Sequence, residues 1–275
     1  MGKVIELNTL NDRTRIIYQK ECKKFRKYFY KMFGIFPEKS NPETIQLYVD
    51  CCYPDLIKHS SVFKIHLAAV RKWCNHQNFP DFSLKSPRLD PDPITILSVS
   101  QVREIFKEAR NHPCSLMLRM IYESGVRLQE VTRIRIRDID FEKMILSIKG
   151  DDRSPSRESC IPEDIKYDLI RLVHKRDENE FLFTLRIMEN GSTAPISRRT
   201  LQQYLNRISE RIGAGKINTQ TLRDSYAVHM ILEGYDLRLI MSRLGLKNIR
   251  SMNRYIRYID TSLKDTPVLR SPLCE

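Results

Sequence analysis

Arg127, Arg223 and Tyr255 are residue types that suit chemistry on a phosphodiester. Such a diester is negatively charged and repels nucleophiles, and attack on it passes through a more highly charged five-coordinate arrangement. Guanidinium groups stay ionised and present a fork of donors to non-bridging oxygens, so two of them can offset that charge. Tyrosine supplies an oxygen nucleophile whose phosphoester keeps the bond energy for rejoining, but with an ordinary pKa of about 10 it needs a base or a positive field. Each residue also has a plain structural alternative. Arginines are common on surfaces, and a tyrosine on a short amphipathic helix usually packs half-buried.

Local sequence indicates the elements that must hold these groups. Arg127 directly follows a turn at Ser124-Gly125. Arg223 opens a helix expected near Thr221, with Leu222, Tyr226, His229, Met230 and Glu233 at helical spacing and Gly234 suited to a left-handed cap. A second helix, Leu237 to Leu244, should open after Asp236 and close at Gly245, and a third should open after Asn248 and carry Tyr255. Tyr258 lies on the same helix, on a neighbouring face. His229 is expected to be a packed or exposed helix residue rather than a base. Helix-turn-helix DNA binders share this rhythm, so the stretch alone is compatible with a simple binding module. Upstream, Ser98 and Gln101 form a capping box for a helix through Val102, Ile105 and Phe106, and another helix runs from Pro113 through Met117 and Met120. Met144 to Ile148 reads as a strand with a partner at Cys160-Ile161, which puts Lys149 in or beside a β-hairpin. Ile165, Leu169, Leu172 and Val173 mark a further helix, Phe181 to Phe183 an extended piece, and Leu201, Tyr204, Leu205, Ile208 and Ile212 a helix ended by Gly213.

Two segments together suggest a family. SGVRLQEVTRIRIRDIDF, from Ser124, resembles the first signature of the tyrosine recombinases, or phage integrase family, of the Xer-like or archaeal and viral type. QTLRDSYAVHMILEGYDLRLIMSRLGLKNIRSMNRYI, from Gln220, resembles the second, in which His-x-Leu-Arg opens a helix, Leu-Gly-His follows, and a tyrosine comes after. The resemblance covers roughly residues 10–260 and aligns Gln220 with the first histidine, Arg223 with the arginine, Leu246 with the second histidine and Tyr255 with the nucleophile. It implies that Arg127 and Arg223 hold the scissile phosphate, that Tyr255 attacks it, that Lys149 protonates the leaving 5′-oxygen, and that Glu130 braces the arginine. Lys143, Arg153 and Arg157 compete with Lys149 for the hairpin position. Two departures stand out. Gln220 can hydrogen-bond a phosphate oxygen but cannot relay a proton, and Leu246 can do neither. Asp224, where the family often has another histidine, adds a negative charge beside Arg223. Slow catalysis, or help from Lys247 or Arg250, is the corresponding expectation.

The rest of the chain fits a nucleic-acid partner. Its 275 residues carry a formal net charge of +13 with 29% charged residues, and the pI near 9.4 favours polyanions. A helix over residues 13–33, ended by Gly34, should place Ile17, Phe25, Phe29, Met32 and Phe33 on one side. Its basic stripe of Lys20, Lys23, Lys24, Lys27 and Lys31, interrupted only by Glu21, is assigned to DNA phosphates. A second helix opens at Asn41-Pro42 and carries Ile45, Tyr48, Val49 and Cys52; a third follows Ser60-Ser61 with Val62, Ile65, Ala69 and Trp73 on its packed face. Pro87, Pro91 and Pro93 then favour an extended linker.

The fold expected is mainly α with a small antiparallel sheet. A helical DNA-clamping domain over residues 1–86 precedes a proline-rich linker over 87–95, a mixed α/β catalytic domain over 96–260 and a tail over 261–275. No apolar run is long enough to cross a bilayer and no secretory leader is evident, so a DNA-associated cytoplasmic protein is expected. The seven cysteines show no paired spacing and should be reduced thiols. No metal and no cofactor is called for. The partners the resemblance implies are double-stranded DNA, further copies assembling as a tetramer on paired sites, and accessory DNA-bending proteins. The expected activity is site-specific recombination through a 3′-phosphotyrosyl intermediate. A catalytically silent DNA-binding relative and a type IB topoisomerase-like relaxation are the alternatives.

Overall fold

The computed structural model describes residues 11–52, 55–77, 84–89, 92–110, 112–150, 155–186 and 193–263. The chain divides into two compact units, residues 1–93 and 94–275.

In the first unit α1 (Asp12–Phe33), α2 (Pro42–Cys52) and α3 (Ser60–His76) enclose an aromatic core. Asn11 caps the first turn of α1, and Gly34 ends it at φ 69, a left-handed conformation that glycine adopts without strain. Phe25 sits edge-on to Tyr48 and Trp73, with ring centroids 5.0 and 5.2 Å away. Ile45, Tyr48, Val49 and Cys52 are all buried, as their spacing predicts. The expected faces of the other two helices need correction. On α1 the buried stripe runs through Cys22, Phe25 and Phe29, and Ile17 and Met32 are exposed. On α3, Ala69 and Trp73 are buried but Val62 and Ile65 face outward, because Phe63, His66, Leu67 and Val70 bring a larger apolar surface and a bonded imidazole to the core.

That imidazole also redirects Glu21. His66 Nε2 meets the Tyr48 hydroxyl at 2.9 Å and Nδ1 meets Glu21 Oε2 at 2.9 Å, while Lys24 donates to Glu21 at 2.7 Å. Glu21 is therefore turned inward and does not interrupt the lysine stripe. Lys20, Lys23, Lys27 and Lys31 are exposed on the outer arc of α1, and Lys24 is half-buried.

The second unit opens with α4 (Val99–Glu108), α5 (Cys114–Glu123) and the short α6 (Leu128–Val131). Ser98 and Gln101 form the expected capping box. A three-stranded antiparallel sheet follows, β1 (Ile139–Asp140), β2 (Ile145–Ile148) and β3 (Arg157–Cys160), with Ile145 opposite Cys160 and Ile148 opposite Arg157. Next come α7 (Lys166–Val173) and a two-stranded hairpin of β4 (Thr184–Arg186) and β5 (Thr193–Pro195). The chain closes with α8 (Arg198–Arg211), α9 (Thr219–Leu232), α10 (Leu237–Leu244) and α11 (Asn253–Leu263), the last preceded by a 3₁₀ turn at Ile249–Met252. α9 starts at Thr219, capped by Asn218, slightly ahead of the expected Thr221. α11 runs to Leu263, beyond the expected boundary at residue 260. The tail over residues 264–275, Cys274 and Arg153 lie outside the described residues. The six described cysteines are free, and among the described residues no helix is long and apolar enough to cross a membrane.

The turn before Arg127 is fixed by close packing. Gly125 has φ +64, and a Cβ there would meet Leu244 Cδ2 and Tyr226 Cε1, each at 3.1 Å. Gly125→Ala should destabilise the protein by about 1–3 kcal/mol, combining left-handed strain with displacement of the Tyr226 ring. A thermal melt equal to that of the parent protein would refute this account of the turn.

Candidate active site

The C-terminal end of α10 organises the site. Asp236 caps the start of this helix, and Gly245 ends it at φ 60. Carbonyls in a last helical turn lack intrahelical donors and carry the negative end of the helix dipole. Here three successive ones are met by guanidiniums. Arg157 Nε donates to the Arg243 carbonyl at 2.9 Å, Arg223 Nη2 to the Leu244 carbonyl, and Arg127 Nη2 to the Gly245 carbonyl at 3.0 Å. The glycine turn after α10 therefore gathers cations from the start of α6, from β3 and from α9.

Glu130 ties two of them together. Its carboxylate accepts from Arg127 Nη1 at 2.9 Å and from the Arg127 backbone N–H at 2.6 Å. Arg157 Nη1 and Nη2 donate to the same carboxylate at 2.9 and 2.7 Å. Burial alone would raise the Glu130 pKa, but the bonds from Arg157 and Arg127 outweigh it and hold the group at about 2, against an ordinary 4.5. Because the folded value lies below the unfolded one, this stabilisation is full above about pH 4.5 and is lost as pH falls toward 2. It should amount to about 2–3 kcal/mol. Urea unfolding at pH 6 and pH 3 should show this loss in the parent protein and not in Glu130→Gln; equal losses in both would remove Glu130 as its source.

Arg223 is 4% exposed, and its Nε is buried with no hydrogen-bond partner. Burial, and then the neighbouring Arg127 charge, push its pKa down to about 10, so it remains a cation at neutral pH. A buried donor without an acceptor costs free energy, and this one belongs to a cluster of three arginines in which Arg127 and Arg157 bond the Glu130 carboxylate while Arg223 bonds the Leu244 carbonyl. The arrangement is suited to an anion with oxygen acceptors.

Tyr255, on α11, is 3% exposed and packed with Tyr226, Ile240, Leu244 and Met252. Its hydroxyl donates to Asp224 Oδ1 at 2.8 Å. The same carboxylate accepts from Gln220 Nε2 at 2.8 Å and from Arg254 Nη2 at 2.7 Å. Burial, followed by the Asp224 charge, raises the phenol above its ordinary 10, with Arg254 and Arg223 opposing. Tyr258 is partly buried at the edge of the same apolar cluster.

Arg127, Glu130, Arg223 and Tyr255 are thus brought together with Gln220 at their margin. Leu246 packs its side chain against the apolar cluster that holds Tyr255. Lys149 is exposed just past β2, in a pocket of about 280 Å³ shared with Gln129, Glu130 and Arg133. A second pocket, about 340 Å³, is lined by Arg127, Glu130, Arg198 and Gln220. Gln129 and Glu130 line both pockets, Lys149 the first alone and Gln220 the second alone. Of the residues competing with Lys149, Arg157 is spent on Glu130, and Lys143 pairs with Asp140 at 3.7 Å.

Sequence reasoning missed three contributors. Asp224 was expected to burden Arg223, yet its hydrogen bonds go to Tyr255, Gln220 and Arg254; its helical spacing from Gln220 was the available signal. Arg254 has its guanidinium carbon 5.3 Å from the centroid of the Tyr255 ring. Arg198, at the start of α8, carried no local signal. His229 bonds the Tyr122 hydroxyl through Nδ1 at 2.7 Å, a packed helix residue as expected.

Residues 95–261 match the model of the phage integrase family. Tyrosine recombinase XerA of Pyrococcus horikoshii is 25% identical over 183 residues, covering 66% of this chain and 63% of the relative. XerA of Pyrococcus furiosus is 27% identical over 192 residues, 70% of this chain and 65% of that protein. The match thus spans slightly under two thirds of these relatives' own length. Among solved structures, XerH site-specific recombinase in a post-cleavage complex with palindromic difH substrate superposes with a TM-score of 0.66 at 17% identity, covering 91% of this chain and 78% of that one.

Proposed function

Since the chain belongs to the phage integrase family, we propose that it is a site-specific DNA recombinase that cuts and rejoins strands through a 3′-phosphotyrosyl intermediate. The observation that carries this reading is the buried, unpartnered Nε of Arg223 within an arginine cluster beside a sequestered tyrosine. A scissile phosphate supplies the acceptor that Nε lacks, and Arg127 takes the second non-bridging oxygen. Tyr255 attacks phosphorus, and the leaving 5′-oxygen takes a proton from Lys149, carried on the β2–β3 connection. Glu130 holds Arg127 in place. None of these steps calls for a metal.

The exposed lysines of α1 are assigned to DNA phosphates, which makes binding fall steeply with salt. Strand exchange needs active sites on both strands of two duplexes, so a tetramer assembled on paired sites, aided by DNA-bending proteins, is part of the proposal, as is residence with cytoplasmic DNA. The second reading, a silent DNA binder, draws on Gln220 and Leu246, neither of which can carry a proton. Relaxation of supercoiled plasmid without exchange between sites would mark the topoisomerase-like alternative.

The test is covalent capture. The protein is incubated in EDTA with nicked duplexes of random sequence, so that a cleaved strand diffuses away and slow cleavage accumulates. DNA that stays attached after denaturation is sequenced, and the adduct is mapped by mass spectrometry. Attachment at Tyr255 to a recurring sequence supports the recombinase; tight binding with no adduct supports the silent binder.

A further inference from the structure

We propose that Asp224 is the proton acceptor for Tyr255 during strand cleavage, an inference that rests on the nucleophile assignment above. A buried phenol in an apolar cluster is neutral at physiological pH, since both burial and the neighbouring carboxylate disfavour the phenolate. It therefore sheds its proton as it attacks, and a group already in hydrogen-bond contact must receive it. Among the described residues that contact is Asp224 Oδ1, 2.8 Å from the Tyr255 hydroxyl.

The surroundings of the carboxylate fit this task. Asp224 is 4% exposed, and its backbone lies in the first turns of α9, next to Arg223. Gln220 Nε2, one turn earlier on the same helix, fixes Oδ1, and Arg254 Nη2 fixes Oδ2. The charged or titratable groups bonded to the carboxylate are Arg254 and Tyr255, both on α11, and Arg223 on its own helix acts on the same phenol. Arg254 and Arg223 are cations and cannot accept a proton; Gln220 and Leu246 offer no titratable group near neutral pH. Gln220 thus positions the acceptor instead of acting as one.

The step balances without a further reactant. The Tyr255 Oη–phosphorus bond forms as the phosphorus–O5′ bond breaks. The phenolic proton passes to the Asp224 carboxylate, and the leaving 5′-oxygen takes a different proton from the acid on the far side of the phosphate. Rejoining reverses both transfers, with the protonated Asp224 returning its proton to the departing phenolate.

The experiment uses the nicked duplex recovered by covalent capture, made in two forms. One has the natural 5′-oxygen leaving group, and the other a bridging 5′-sulfur, which departs without protonation. Adduct formation is timed for the parent protein, Asp224→Asn and Asp224→His, with thermal unfolding and duplex affinity as controls. Asp224→Asn keeps the shape of the side chain and should slow the reaction about 100-fold on both duplexes. Asp224→His supplies a different base, so activity should persist and decline as pH falls through about 6.5; this variant also carries the test if the amide fails to fold. Asp224→Asn reacting as fast as the parent or faster overturns the proposal, and a faster reaction makes Asp224 a restraint on Tyr255. A defect confined to the oxygen duplex also overturns it, by moving Asp224 to the leaving-group side. A parent protein that captures no duplex in the first place, in contrast, overturns the recombinase reading itself and this inference with it.

Discussion

Tyr255→Phe should abolish the covalent protein–DNA adduct while leaving duplex affinity within about twofold and the fold intact. The phenyl ring keeps its place among Tyr226, Leu244 and Met252, because that packing does not depend on the hydroxyl, which donates to Asp224. Removing it costs one hydrogen bond, about 1 kcal/mol, since Gln220 and Arg254 still satisfy the carboxylate. The chemical loss is of another order, because a phenyl ring carries no oxygen with which to attack phosphorus. Tyr258→Phe is the matched control and should retain adduct formation. The measurement is denaturing electrophoresis of end-labelled nicked duplex with a parallel filter-binding titration. A residual adduct in Tyr255→Phe that disappears in Tyr258→Phe would move the nucleophile to the next turn of α11.

The same residues show how far the sequence reaches. The elements around the site were legible because each is punctuated by local chemistry: Asp236 and Gly245 bracket α10, and Ser98 with Gln101 opens α4. Arg127, Arg223 and Tyr255 stood out because they occupy motif positions. What the sequence did not disclose depends on where side chains turn. Glu21 reads as a break in a lysine stripe until His66, from another helix, draws it inward. Asp224 reads as a liability because it adjoins Arg223 in the chain, but adjacent residues on a helix share no face, and the carboxylate in fact bonds to α11. The docking of Arg127, Arg157 and Arg223 on consecutive carbonyls at the end of α10 joins four elements and has no local signature. Val62 and Ile65 fit helical spacing as well as their buried neighbours do, and only the size of Phe63 and the bonds of His66 settle which face packs.

Arg223→Met should reduce adduct formation at least about 1000-fold and change stability little, a separation that distinguishes a group placed for substrate from one placed for the fold. The guanidinium is 4% exposed, close enough to Arg127 to be depressed by its charge, and left with an unpartnered Nε. Burying such a cation is unfavourable, and an unbranched apolar side chain of similar length relieves that cost. The bond to the Leu244 carbonyl is lost in exchange, about 1 kcal/mol in the other direction, so the melting temperature should stay within a few degrees of the parent value. Catalysis has no such compensation. A preorganised donor aimed at developing charge is worth about 100- to 1000-fold, and a full cation in a buried site reaches the upper end or beyond. Arg223→Lys keeps the charge but replaces the fork with a single ammonium, and should fall between parent and methionine variant. Calorimetry beside the nicked-duplex assay decides the matter. A methionine variant that unfolds by many degrees, and whose lost activity merely tracks its folded fraction, would make Arg223 a brace for the end of α10, leaving Arg127 to hold the phosphate alone.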